Sequence, residues 1–133
     1  KEYRRQRQMC IRDSAMISPP ARNFLNSSFV NVESLRAIEK EPLIEIGVDD
    51  ASARGIATGD TVKVFNDRGE YHCKADVTSR ARPGVVNGLG IWWRKMGLNG
   101  TNVNEVTSQL LTDLGRAPVF YDCQVEVVLL KKA

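Results

Sequence analysis

What the 133-residue chain lacks narrows it first. No stretch approaches the ~20 apolar residues of a membrane-spanning helix, and no apolar signal-peptide core stands near the start. Cysteine is scarce. Cys10, Cys73 and Cys123 are an odd number at no metal-ligand spacing, which suits free thiols in a reducing compartment, the cytoplasm rather than the periplasm. Histidine is scarcer still: His72 is the only one. It falls on the polar face of a strand pattern and reads as solvated. No nucleophile with a partnered base surrounds it, which removes a Ser-His-Asp reading.

An excess of basic charge in the body of the chain is missing too. The net charge is +3, but the first 13 residues hold Lys1, Arg4, Arg5, Arg7 and Arg12 against Glu2 and Asp13. The remainder carries 14 basic and 14 acidic residues. A nucleic-acid surface needs clustered cations to displace counterions, so nucleic acid is not an expected partner. The start "KEYRRQRQMCIRDS" has no initiator Met and no apolar period. It resembles translated sequencing-adapter read-through, so residues 1–14 are set aside as a non-native tail. Residues 15–133 are read as one domain, a fragment of a longer chain whose native start, with any targeting signal, is missing. A chain of this length buries roughly two thirds of its unfolded surface, enough for a core of its own.

What is present is mostly strand pattern. "PLIEIGV" is a short apolar run opened by Pro42. In "DDASARGIATGD", Asp49 is placed as the cap of a short helix that Gly55 and Gly59 end. "TVKVFN" and "EYHCKADV" flank the turn "NDRG" as an antiparallel hairpin. The second strand alternates strictly, which puts Tyr71, Cys73, Ala75 and Val77 on one face, the expected core. "VVNGLGIWW" is another strand, and "RKMGLNGTN" a loop. "VNEVTSQLLTDLG" suggests one or two helical turns with Asn104 as a cap, and "VFYDCQVEVVLL" a long last strand. "VNVESLRAIEKE" suggests a short helix or turn. Five or six short strands, with closure expected over residues 42–130, would form a barrel or sandwich without open edges.

One stretch fits none of these patterns. "NFLNSSF", residues 23–29, sets Asn26, Ser27 and Ser28 between Phe24 and Phe29, just after Arg22. Together with "DDASARGIATGDTVKVFNDRG" and "NVNEVTSQLLTDLGRAPVFYDCQVEV", it resembles the C-terminal molybdopterin-dinucleotide-binding domain of the dimethyl-sulfoxide-reductase family of molybdenum and tungsten oxidoreductases. The resemblance runs from about Met16 to Val127. It implies a mainly β fold, a six-stranded double-psi β-barrel of the aspartate-decarboxylase type with short helices. It also implies binding of molybdopterin guanine dinucleotide, one half of a bis-cofactor holding Mo or W in the intact parent.

The resemblance places cofactor contacts at Arg22, Asn26, Ser27, Ser28, Trp93, Asn104, Thr107, Phe120 and Tyr121. The chemistry agrees. A pterin is a flat heterocycle edged with donors and acceptors, which amides and hydroxyls suit; a pyrophosphate takes N–H groups, hydroxyls or Arg. Each position has a plainer role open to it. Asn26, Ser27 and Ser28 would equally satisfy backbone groups in a turn. One of Trp92 and Trp93 belongs to the core. Asn104 would serve as a helix cap, and Phe120 and Tyr121 as core. Arg116 stands where relatives often carry Gly.

In the family a Cys, selenocysteine or Ser from a preceding domain ligates the metal, and an iron–sulfur cluster, where present, lies near the N-terminus. Neither is encoded here. The expected partners are therefore the missing catalytic domains of the same parent and an electron-transfer subunit, and the chain alone is expected to be inactive. Two other classes share the fold. A decarboxylase that forms its pyruvoyl group by cleaving a Gly-Ser bond is excluded, since the chain has no Gly-Ser dipeptide. A protein-interaction module without cofactor is the alternative that fold alone leaves open.

Overall fold

The computed structural model describes residues 13–121 and 123–133. Most of the segment set aside as a tail, with Cys10, lies outside the described residues. Among the described residues there are six strands and two short helices, in the order β1 (Ser14–Ile17), α1 (Glu33–Glu39), β2 (Leu43–Ile46), α2 (Val48–Arg54), β3 (Thr61–Phe65), β4 (Glu70–Val77), β5 (Val85–Leu89) and β6 (Cys123–Lys131). Single 3-10 turns occupy Arg94–Met96 and Val103–Glu105. The strands close into a barrel in the order β1-β5-β2-β4-β3-β6. Two contacts, β1 with β5 and β2 with β4, are parallel, and the other four are antiparallel. This is the closed, mainly β, six-stranded architecture that the resemblance implies, and closure leaves no strand edge unpaired.

The alternation in β4 works as the sequence requires. Tyr71, Cys73 and Ala75 are buried and meet Met16, Ile44, Val62, Val86, Val125 and Val127 in one core. Each buried aliphatic side chain stabilises the fold by roughly 1.5–3 kcal/mol. Burial pushes the Tyr71 phenol well up from its ordinary pKa, and it pushes the Cys73 thiol up as well. The "NDRG" turn closes by Asn66 N–H donating to the Gly69 carbonyl at 3.0 Å. Asn66 Nδ2 also donates to the carbonyls of Val106 at 2.8 Å and Gln124 at 3.1 Å, so this turn anchors the last third of the chain.

Several expectations are corrected. Closure is not achieved within residues 42–130: β1 joins β5 to β6, pairing Ser14 with Val125 and Met16 with Val86. The strand leaves little sequence signal, because its four residues run straight into Ser18, Pro19 and Pro20. Its first residue, Ser14, is buried, so the barrel begins one residue before the boundary read from the sequence. Asp49 does not cap α2. Gly47 occupies that place with no side-chain cap bond, and Asp50 instead accepts the N–H of Gly84 at 2.7 Å.

Among the described residues no α-helix follows Asn104. Beyond the 3-10 turn the chain is irregular, with one bridge between Leu111 and Pro118. The polar residues there bond to the backbone, Thr107 Oγ1 donating to the Asn104 carbonyl at 3.2 Å and Ser108 Oγ accepting from Leu110 N at 3.1 Å. Such local bonds compete with helix formation. The last strand begins at Cys123 and not at Val119. His72 is half-buried, not solvated, with Nε2 out of contact with solvent at 3.5 Å from Glu70 Oε1, an ion-pair distance without hydrogen-bond geometry.

Candidate cofactor-binding loops

The polar stretch after β1 is held to the barrel by its backbone. Ala21 N–H donates to the Gly90 carbonyl at 2.9 Å, and Gly90 N–H donates to Pro19 at 3.1 Å. Phe24 is the loop's anchor. It is buried and meets Trp92 edge-on, ring centroids 5.1 Å apart, in a second cluster with Ala21 and Val30. Leu25 and Ser28 exchange backbone hydrogen bonds at 2.8 and 3.2 Å, which closes a tight turn around Asn26 and Ser27. Asn26 takes a left-handed φ of 52°, a conformation Asn tolerates better than most residues. Phe29 does not anchor the loop as its size suggests: it has φ 76° and is 46% exposed, and Val30 takes the buried place.

A second limb comes from residues 102–104. Asn102, not Asn104, is the cap: its Oδ1 accepts Asn104 N–H at 3.0 Å. Its Nδ2 donates to the Trp92 carbonyl at 2.9 Å. Val103 reaches into the barrel core past Gly88 of β5 and Gly90 just after it, neither of which has a Cβ to block it. A Cβ on Gly90 would sit 3.0 Å from Val103 Cγ1, and one on Gly88 would sit 2.8 Å from the Tyr71 hydroxyl.

The two limbs meet on the same tryptophan pair. Trp93 Nε1 donates to the Ser27 carbonyl at 2.7 Å, and Ile91 N–H donates to the Asn26 carbonyl at 3.4 Å. Trp92 is the core member of the pair and Trp93 the half-buried one, its ring facing Lys95 Nζ at 5.1 Å. Arg94, beside it, is paired with Glu105.

Among the described residues the side chains of Arg22, Asn26, Ser27, Ser28 and Asn104 have no hydrogen-bond partner, and all five are exposed. The backbones of Asn26, Ser27, Ser28 and Asn104 are hydrogen-bonded in place. Thr107 differs, being buried with its hydroxyl spent on the Asn104 carbonyl. Phe120 and Tyr121 are not core. They are 39% and 52% exposed and pack edge-on, centroids 4.4 Å apart. No hydrogen bond, ion pair or ring contact joins them to either limb among the described residues.

The sequence reading missed Asn102, although Asn two residues before another capped position is a signal for such a turn. It also missed Arg36, and Asn23 and Glu39, which pair across 16 positions and leave no local trace. Among the described residues no group of three or more His, Cys, Asp or Glu side chains could hold a metal ion.

The closed six-stranded barrel thus presents two loops of free amide and hydroxyl groups beside a tryptophan pair. A family model described as the molydopterin dinucleotide binding domain matches residues 15–124. The chain belongs to that family. It is 40% identical over 96 residues to dimethyl sulfoxide reductase DmsA of Escherichia coli (strain K12), covering 69% of this chain and 12% of that protein. It is 37% identical over 108 residues to a Bacillus subtilis (strain 168) protein named "Probable oxidoreductase YoaE", covering 81% of this chain and 16% of the other. Its fold matches acetylene hydratase from Pelobacter acetylenicus with a TM-score of 0.71 at 14% identity, over 86% of this chain and 18% of that one. The chain thus spans less than a fifth of the length of each of these proteins.

Proposed function

We propose that this domain holds one molybdopterin guanine dinucleotide within a longer molybdenum- or tungsten-dependent oxidoreductase, gripping it between residues 22–28 and 102–104. The observation that carries the reading is the set of polar side chains at Arg22, Asn26, Ser27, Ser28 and Asn104, which are free among the described residues, with the backbones of all but Arg22 bonded in place. Donors fixed before the ligand arrives lose less conformational entropy on binding.

The group itself supplies the redox-active metal centre. The chain's residues bind and orient it. Asn26, Ser27, Ser28 and Asn104 offer the amide and hydroxyl groups that a pterin edge matches. Arg22 offers a planar cation for a phosphate. Trp93 offers an aromatic face and holds Ser27 in register. Thr107 supports Asn104 from beneath. Phe120 and Tyr121 offer aromatic surface outside the two limbs, toward the dinucleotide or toward a neighbouring domain of the parent.

The test is the pterin content of the purified parent protein after single Asn26→Ala and Asn104→Ala substitutions. Each removes one or two hydrogen bonds worth about 1 kcal/mol, more beside charged groups, and should lower occupancy with the fold intact. Full occupancy and activity in both variants would assign these side chains to the turn alone. Binding of an acidic or apolar protein partner by the wild-type domain, with no pterin in the parent, would favour an interaction module instead.

A further inference from the structure

We propose that Glu39 is a positioning residue for the cofactor loop, an assignment that rests on the cofactor reading above and extends it to α1. This helix has seven residues and no fully buried side chain. It lacks a side-chain N-cap bond, and helices this short are not stable unaided. Only Leu35 packs against the second cluster, so α1 adds little to the barrel core.

Its polar side chains instead grip the loop at both ends. A single Glu39 oxygen, Oε1, accepts Asn23 N–H at 2.6 Å and Asn23 Nδ2 at 2.8 Å. Arg36 Nη1 donates to the Val30 carbonyl at 2.9 Å and touches Met96 Sδ at 3.7 Å. Between those two points the loop carries Asn26, Ser27 and Ser28, and the Trp93 indole holds its middle at Ser27. Glu39 has no contact with those three side chains. Its effect on a ligand passes through Asn23, and the short 2.6 Å bond to a carboxylate is the charge-assisted kind. The loop thus has a rigid span set by a carboxylate behind it, away from the donors it presents.

The test uses hydrogen exchange of the two tryptophan indole N–H groups in the folded chain, with Trp92 as the internal reference. Glu39→Ala should speed exchange at Trp93 about tenfold relative to Trp92, the effect of losing one or two charge-assisted bonds. Glu39→Gln keeps an acceptor oxygen at the same reach and should stay within about twofold of wild type. In the parent, cofactor loss should accelerate in the same order. Unchanged Trp93 exchange in Glu39→Ala would overturn the assignment, and so would equal acceleration at Trp92, the mark of general loosening. Faster Trp93 exchange with unchanged cofactor loss would leave the clamp standing and contradict the cofactor reading of the loop.

Discussion

The indole Nε1 of Trp93 donates to the carbonyl oxygen of Ser27 at 2.7 Å. This bond crosses from one loop to the other, since the adjoining Trp92 carbonyl accepts from Asn102. Two segments far apart in sequence therefore share one support, and movement of either is felt by the other.

Trp93→Phe removes that donor but keeps the ring. A hydrogen bond of this kind contributes about 1 kcal/mol net, so the barrel's urea midpoint should move little. Cofactor occupancy of the parent should fall, because Ser27 and Asn26 lose register. Equal losses of stability and occupancy would show that Trp93 serves the fold and not the loop.

The chain's end is fastened by a carboxylate. Asp60, 2% exposed, accepts Ala57 N–H at 2.9 Å, Lys132 Nζ at 3.0 Å and Ala133 N–H at 2.9 Å. The backbone bond from Ala57 and the bond from Lys132 hold its pKa below the ordinary carboxylate value. A depressed carboxylate stabilises above its unfolded pKa, near 4, and the contribution is lost as pH falls through the lower folded value. Asp60→Asn should therefore lower the urea midpoint at pH 7 and flatten its decline on acidification below about pH 4. Parallel pH curves for the two proteins would contradict the assignment.

Arg116 takes a φ of 49° in the turn between Leu111 and Pro118. A side chain there is strained, and Gly is not. Arg116→Gly should stabilise the chain by roughly 0.5 kcal/mol, since relief of strain exceeds the added unfolded-state entropy only modestly. Thermal unfolding checks the sign; a drop in midpoint would mean that the Arg side chain makes a contact worth more than the strain.

The first strand, Ser14–Ile17, begins just after the segment set aside from the sequence. Deleting residues 1–12 should leave the urea midpoint unchanged within about 0.5 kcal/mol, the scale of a neutral surface change. Deleting through Ile17 removes β1, unpairs β5 and β6 and exposes the Met16 pocket, and should abolish cooperative unfolding. A large loss from the shorter deletion would show that the tail packs on the barrel.

The barrel was legible where local pattern and tertiary burial agree. Alternation in "EYHCKADV" named the buried face, and "NDRG" placed the hairpin. It failed at β1, four residues too short to show a period, and after Asn104, where Thr107 and Ser108 turn a helix-like pattern into side-chain capped turns. At the loops, the family resemblance pointed to Asn26, Ser27, Ser28 and Asn104, and their donor and acceptor chemistry agreed. Residue type says nothing of who holds them. Glu39 reaches Asn23 across 16 positions and Trp93 reaches Ser27 across 66, and such pairings exist only once the barrel has closed.

The most direct measurement is the position of the dinucleotide in a cofactor-loaded structure of the parent oxidoreductase. The cofactor-cleft assignment requires its polar atoms to lie within hydrogen-bond distance, roughly 2.7–3.2 Å, of the side chains of both Asn104 and at least one of Asn26, Ser27 and Ser28. A dinucleotide seated elsewhere on the barrel, with those side chains in water, would contradict it.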